Sequence, residues 1–133
     1  MNLKEIHQVY FVGIGGIGMS AIARYFASNK KQVAGYDKTP SQITSDLEKL
    51  GVEVYFEDDL KKIPLPFLKK EETLIVYTPA IPSNNKVLTY FNEHNFPCVP
   101  ATARQKVVSV IFPKTSDLFK TVKLQFKFNS RSG

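Results

Sequence analysis

The stretch Val9-Tyr10-Phe11-Val12-Gly13-Ile14-Gly15-Gly16-Ile17-Gly18-Met19-Ser20 (VYFVGIGGIGMS, residues 9–20) decides how this chain folds. Gln8–Val12 reads as a first strand, and its apolar run Val9 to Val12 is of the kind expected of a strand buried on both faces. A glycine pattern, Gly13-x-Gly15-Gly16-x-Gly18, follows it. Gly16 to Ser28 then reads as a helix, with Ile17, Ala21, Ile22 and Phe26 at helical spacing. Each glycine has an expected task. Gly13 permits a tight turn off the strand, Gly15 lets backbone approach a ligand that a Cβ would strike, and Gly18 lets the helix pack close to the strand. The helix start offers N–H groups and a positive dipole end to an anion, ideally a diphosphate. Asp37 lies 24 residues after Gly13, near the spacing at which an acid contacts a ribose hydroxyl. A turn that serves packing alone is the plainer reading, but glycine carries an entropic cost at each position, which favours a ligand.

Working outward, Gln32–Tyr36 is a second strand. Thr39-Pro40-Ser41-Gln42 reads as a helix start, with Thr39 accepting from the Gln42 amide and Pro40 at the first helical position. That helix runs to about Leu50 and stops at Gly51. Val52–Phe56 is a third strand, 57–66 a loop or short helix, and Leu74–Tyr77 a fourth strand. Thr78-Pro79-Ala80-Ile81-Pro82 forms a rigid loop. Ser83 or Asn84 caps a helix to about Asn95, with Val87, Leu88 and Phe91 on one face, and Pro97–Val99 is a short fifth strand. This order predicts an α/β fold: a three-layer Rossmann-like domain over residues 1–99, with a mostly parallel five-stranded sheet and helices on both faces.

Charge narrows the function. The net charge is +6, yet residues 1–100 hold equal numbers of basic and acidic side chains. The excess lies in 101–133, which carries seven basic residues against Asp117. A balanced body argues against a nucleic-acid face. The absence of a long apolar run argues against a membrane span. Cys98 is the single cysteine, so a reducing cytoplasm is expected and the thiol reads as a small buried residue. His7 and His94 have no partners at ligand spacing, so no metal site is expected. Arg24, Lys30 and Lys31 read as a solvated helix end. A nicotinamide-binding domain usually has six strands in two halves, whereas this pattern fades after five. An NAD(P)-binding regulator or dehydrogenase fragment therefore stands as the alternative function, and a purely structural interaction module as a third.

The run Ile6-His7-x-Val9 through Ser20 resembles the opening of the Mur ligases. So do Gly35-Tyr36-Asp37, Leu47-x-x-Leu50-Gly51-Val52 and Val76-Tyr77-Thr78-Pro79-Ala80-Ile81-Pro82, over roughly residues 5–99. Within the family the octet Gly13–Ser20 points to members that join L-alanine to UDP-N-acetylmuramate. It fits less well the members that recycle murein tripeptide, whose turn carries a Cys and a bulkier residue. The resemblance implies a cytoplasmic role in peptidoglycan synthesis and a domain that binds the UDP part of UDP-N-acetylmuramate. Gly13, Ile14, Gly15, Gly16, Ile17, Gly18, Met19 and Ser20 would meet the diphosphate. Asp37 and Thr78, Pro79, Ala80 and Ile81 would lie near the uridine. No cofactor is expected in this chain, whereas ATP and Mg belong to the full-length ligase.

Two departures matter. Relatives often place a His within Glu57-Asp58-Asp59; here three carboxylates stand there, best read as solvent-facing or helix-capping. Nor does a Gly-x-x-x-x-Gly-Lys-Thr/Ser phosphate loop occur in the sequence, so the chain is expected to bind without catalysing. The resemblance is expected to end at Pro100. The basic tail 100–133 contains an alternating run, Val122, Leu124, Phe126 and Phe128. It reads as a hairpin that could mediate self-association, as a non-native end, or as a basic arm; the abrupt shift of composition favours the second.

Overall fold

The structure, a computed structural model, describes residues 5–102. Five strands form one sheet: β1 (Gln8–Val12), β2 (Gln32–Tyr36), β3 (Glu53–Tyr55), β4 (Thr73–Tyr77) and β5 (Cys98–Pro100). Their order is β3-β2-β1-β4-β5, and every pairing is parallel, so the expected sheet is wholly rather than mostly parallel. Three helices connect them: α1 (Ile17–Ser28), α2 (Gln42–Lys49) and α3 (Lys86–Glu93). The loop after β3 carries two 3-10 turns, Leu60–Lys62 and Leu65–Leu68.

The central strand β1 is buried at all five positions, and its alternation sorts the core into two layers. Val9 and Phe11, with Leu74 and Val76, pack against Ile22 and Phe26 of α1 and Leu47 of α2. Tyr10 and Val12, with Ile75, pack against Phe67, Val87, Phe91 and Phe96 on the opposite face. Tyr10 meets Phe67 edge-on at 5.8 Å and Phe91 at 5.4 Å between ring centres. Each such buried side chain contributes about 1.5–3 kcal/mol of transfer free energy.

All three helices end alike. The amides of Lys31, Val52 and Phe96 reach back five residues to the carbonyls of Phe26, Leu47 and Phe91, and the residue before each has positive φ: Lys30 at 63°, Gly51 at 92°, Asn95 at 61°. These are Schellman closures. The helix starts depart from expectation. α2 is capped by Ser41, not Thr39. The Ser41 hydroxyl accepts from the Thr44 amide at 3.2 Å, while Thr44 Oγ1 accepts from the Ser41 amide at 2.9 Å. Thr39 stays in the loop because its amide donates to Asp37 Oδ1 at 3.0 Å. α3 is capped by Asn85 rather than Ser83 or Asn84; Asn85 is buried, and its Oδ1 accepts from the Leu88 amide at 2.8 Å. The strands β3 and β5 are also displaced or shortened by a residue or two from their expected limits. Pairing continues past residue 99, since the Ala101 amide donates to the Tyr77 carbonyl at 2.8 Å. The expectations for residues 103–133, including the alternating run and the tail's self-association, lie outside the described residues.

Candidate functional site: the glycine turn and its cleft

Gly13 leaves β1 with φ of +92°, and a Cβ there would run into the Thr78 side chain. The amides of Gly13 and Ile14 both donate to the Tyr36 carbonyl, at 2.7 and 2.9 Å, which folds the turn over the end of β2. The Gly15 amide donates to Asp37 Oδ2 at 2.7 Å, and that of Gly16 to the Gly13 carbonyl at 3.4 Å. The chain itself therefore uses the amides of residues 13–16. The first helical bond is Ser20 N–H to the Gly16 carbonyl at 2.8 Å. The amides of Ile17, Gly18 and Met19 consequently have no partner among the described residues. The N-cap, Gly16, supplies no side chain, and the first turn of α1 holds no acid. A helix start of this kind carries about half a positive charge, with no side-chain cap or acid on it among the described residues.

A cleft of about 490 Å3 opens beside these amides. Gly16, Ile17, Gly18 and Met19 form one wall, Thr78 and Pro79 the other, and Ala101 and Thr102 complete it. It lies beyond the carboxyl ends of β1 and β4, where the strand order reverses, which is the ligand position of an open parallel sheet. The cleft thus gathers part of the expected set: Gly16 to Met19, Thr78 and Pro79. Ile14 is fully buried in the core. Ser20 is buried, and its hydroxyl donates to the Ile17 carbonyl at 2.9 Å. Ala80 is exposed, with its amide donating to Thr78 Oγ1 at 3.4 Å, and Ile81 packs against the opposite core layer. Asp37 sits on the β2 side of the turn, outside the cleft lining.

Several expected roles change. A Cβ on Gly15 would meet Asp37 Oδ2 at 2.7 Å, so an internal carboxylate already excludes a side chain there. A Cβ on Gly18 would meet nothing within 4 Å; the close approach falls instead within the sheet at Gly35, where a Cβ would meet the carbonyl of Phe11 on the neighbouring strand at 2.7 Å. Ile17, expected on the buried face, is 40% exposed at the cleft mouth. Ala101 and Thr102 escaped the sequence reading. Only the parallel register, which pairs Tyr77 with Pro100, carries the chain back beside Thr78.

The remaining candidates are structural. Asp58 accepts from the amides of Lys86 and Val87 at 2.8 and 3.0 Å, and Asp59 from that of Lys61 at 2.9 Å, so both cap helices as expected. His94 stacks on Tyr90 at 4.1 Å between ring centres, and His7 lies 3.9 Å from Glu72. Burial pushes the half-buried Cys98 thiol up to about 11, which suppresses the reactive thiolate. Among the described residues no three metal-binding side chains cluster, and no helix is long and apolar enough to cross a membrane.

Residues 8–108 match the family described as "Mur ligase family, catalytic domain". The chain belongs to the Mur ligase family. This Mur ligase chain is 56% identical over 89 residues to the UDP-N-acetylmuramate–L-alanine ligase of Porphyromonas gingivalis, covering 67% of the chain and 20% of that relative. It is 46% identical over 119 residues to the ligase of the same name from Flavobacterium johnsoniae, covering 90% of the chain and 25% of the relative. The Mur ligase chain therefore spans about a fifth to a quarter of these relatives' length. The family match runs to residue 108, past the Pro100 at which the resemblance was expected to end, and the second alignment runs further still. Among solved structures, the UDP-N-acetylmuramate–alanine ligase of Thermotoga maritima superposes with a TM-score of 0.65 at 28% identity, covering 75% of the chain and 22% of that structure.

Proposed function

We propose that this chain is the UDP-binding domain of an ATP-dependent ligase that joins L-alanine to UDP-N-acetylmuramate in the bacterial cytoplasm. The diphosphate sits on the amides of Ile17, Gly18 and Met19, and the rest of the nucleotide lies along Thr78 and the loop that follows. The observation that carries this reading is the uncapped start of α1, open to a cleft at the reversal of strand order. Hydrogen bonds to a charged acceptor contribute about 1.5–3 kcal/mol each, enough for a small anion without a basic patch. The names of the relatives supply the ligand's identity.

ATP and Mg find no fitting cradle here. The sequence has no Gly-Lys-Thr/Ser loop, and the described residues gather no carboxylate cluster for a metal. No activation step is assigned to this chain, which binds substrate without hydrolysing ATP. Calorimetric titration with UDP, UDP-N-acetylmuramate and NADH tests the reading, with Gly18→Ala as the probe. Alanine at 18 meets no neighbour and favours helix by up to about 1 kcal/mol, so the variant melts no lower than the parent. Its methyl group intrudes on the amide site, and UDP binding weakens about tenfold. NADH binding tighter than UDP, or an unimpaired Gly18→Ala, would reject the assignment.

A further inference from the structure

We propose that Asp37 is a positioning residue that latches the diphosphate-binding turn, not a reader of the nucleotide's ribose. The proposal rests on the UDP-binding reading of the cleft. The acid's spacing from Gly13 suggests a ribose contact, but its geometry assigns other work. Oδ2 accepts from the Gly15 amide at 2.7 Å, and Oδ1 from the Thr39 amide at 3.0 Å. Its own amide donates to the Tyr55 carbonyl at 3.0 Å. One carboxylate thus ties the turn after β1 to the loop entering α2, while its backbone is pinned to β3. Hydrogen bonds to an ionised acceptor are roughly twice as strong as neutral ones, so the latch resists the movement that a bound anion would otherwise induce.

The same contact explains Gly15. The first two atoms that a Cβ would meet belong to the Asp37 carboxylate, at 2.7 and 3.1 Å. A side chain at 15 would push the latch open before it touched any ligand. The negative charge also sits on the β2 side of the turn, so it repels a diphosphate from Gly15. The amides of Ile17 to Met19, facing Thr78 across the cleft, remain as the favourable side.

The test titrates UDP and uridine into the parent chain, Asp37→Asn and Asp37→Ala. A latch acts through the diphosphate site: UDP binding falls about tenfold in both variants, while uridine binding holds. A ribose contact would lower UDP and uridine by the same factor, which overturns the proposal, as does unchanged or tighter UDP binding. A double-mutant cycle keeps the test independent of the ligand. Gly15→Ala should lower the melting temperature of the parent and do so much less in the Asp37→Ala background, where the obstructing carboxylate is gone. Equal losses in both backgrounds refute the latch. Failure of the parent chain to bind UDP would instead refute the reading of the cleft, and the melting cycle would still decide the latch.

Discussion

Helices α1 and α3 both begin beyond the carboxyl edge of the sheet, yet their first turns are finished differently. In α3 side-chain oxygens take the first three helical amides: Asp58 holds those of Lys86 and Val87, and Asn85 holds that of Leu88. The equivalent amides of α1, on Ile17, Gly18 and Met19, are left without a side-chain cap. The start of α3 shows a carboxylate seated where a helix presents its positive end. The start of α1 has no such side-chain oxygen among the described residues and opens on the cleft instead. On the proposed reading, the difference teaches that a ligand site is built by leaving a cap out, at the cost of the cap's own stabilisation.

The largest effect comes from opening the finished end. Asp58→Ala strips two amides of α3 and frees the loop after β3, costing about 1–2 kcal/mol in chemical denaturation. UDP affinity should stay unchanged, and an equal loss of affinity would break the contrast between the two ends. Closing the unfinished end is the converse experiment. Gly16 is extended, with φ of −69° and ψ of 150°, and a Cβ there meets only ordinary contacts at 3.6 Å and beyond. Gly16→Asp therefore gives α1 an internal anion. It should weaken UDP about tenfold by calorimetry while adding a few tenths of a kcal/mol to stability. A variant that gains stability and keeps full affinity would place the ligand elsewhere.

The smallest effect sharpens the contrast through pH. Burial first, then Tyr55, Asp58 and Tyr36, raise the Tyr10 phenol well above 10. Burial and then the Glu53 carboxylate lift Tyr55 up to about 12. A phenol with a raised folded value favours folding while protonated. That stability is fully present below pH 10 and is lost as pH rises through about 12. Tyrosinate absorbance should therefore lag behind that of a free phenol. Its onset in Asp58→Ala should come at slightly lower pH, because a negative charge near Tyr10 and Tyr36 is gone; an unmoved onset would show Asp58 too well solvated to matter there.

What the sequence determined by itself was whatever neighbours in the chain can settle. The apolar run at Val9 to Val12 marked a strand buried on both faces, helical spacing and helix-start signals located the three helices, and Gly51 marked the end of α2, because side-chain direction and local hydrogen bonding repeat over a few residues. The order of strand and helix led to the parallel sheet, and the glycine spacing to the cleft. Tertiary structure alone decided the rest. The carboxylate of Asp58 caps a helix 28 residues away, Asp37 reaches Gly15 across the ends of β1 and β2, and Ala101 and Thr102 return beside Thr78 through the register of β5. Gly18 was expected to relieve crowding that in fact falls on Gly35. Such pairings depend on how strands distant in sequence lie side by side. A carboxylate's partner is the amide that folding brings within 3 Å, and local spacing carries no record of it.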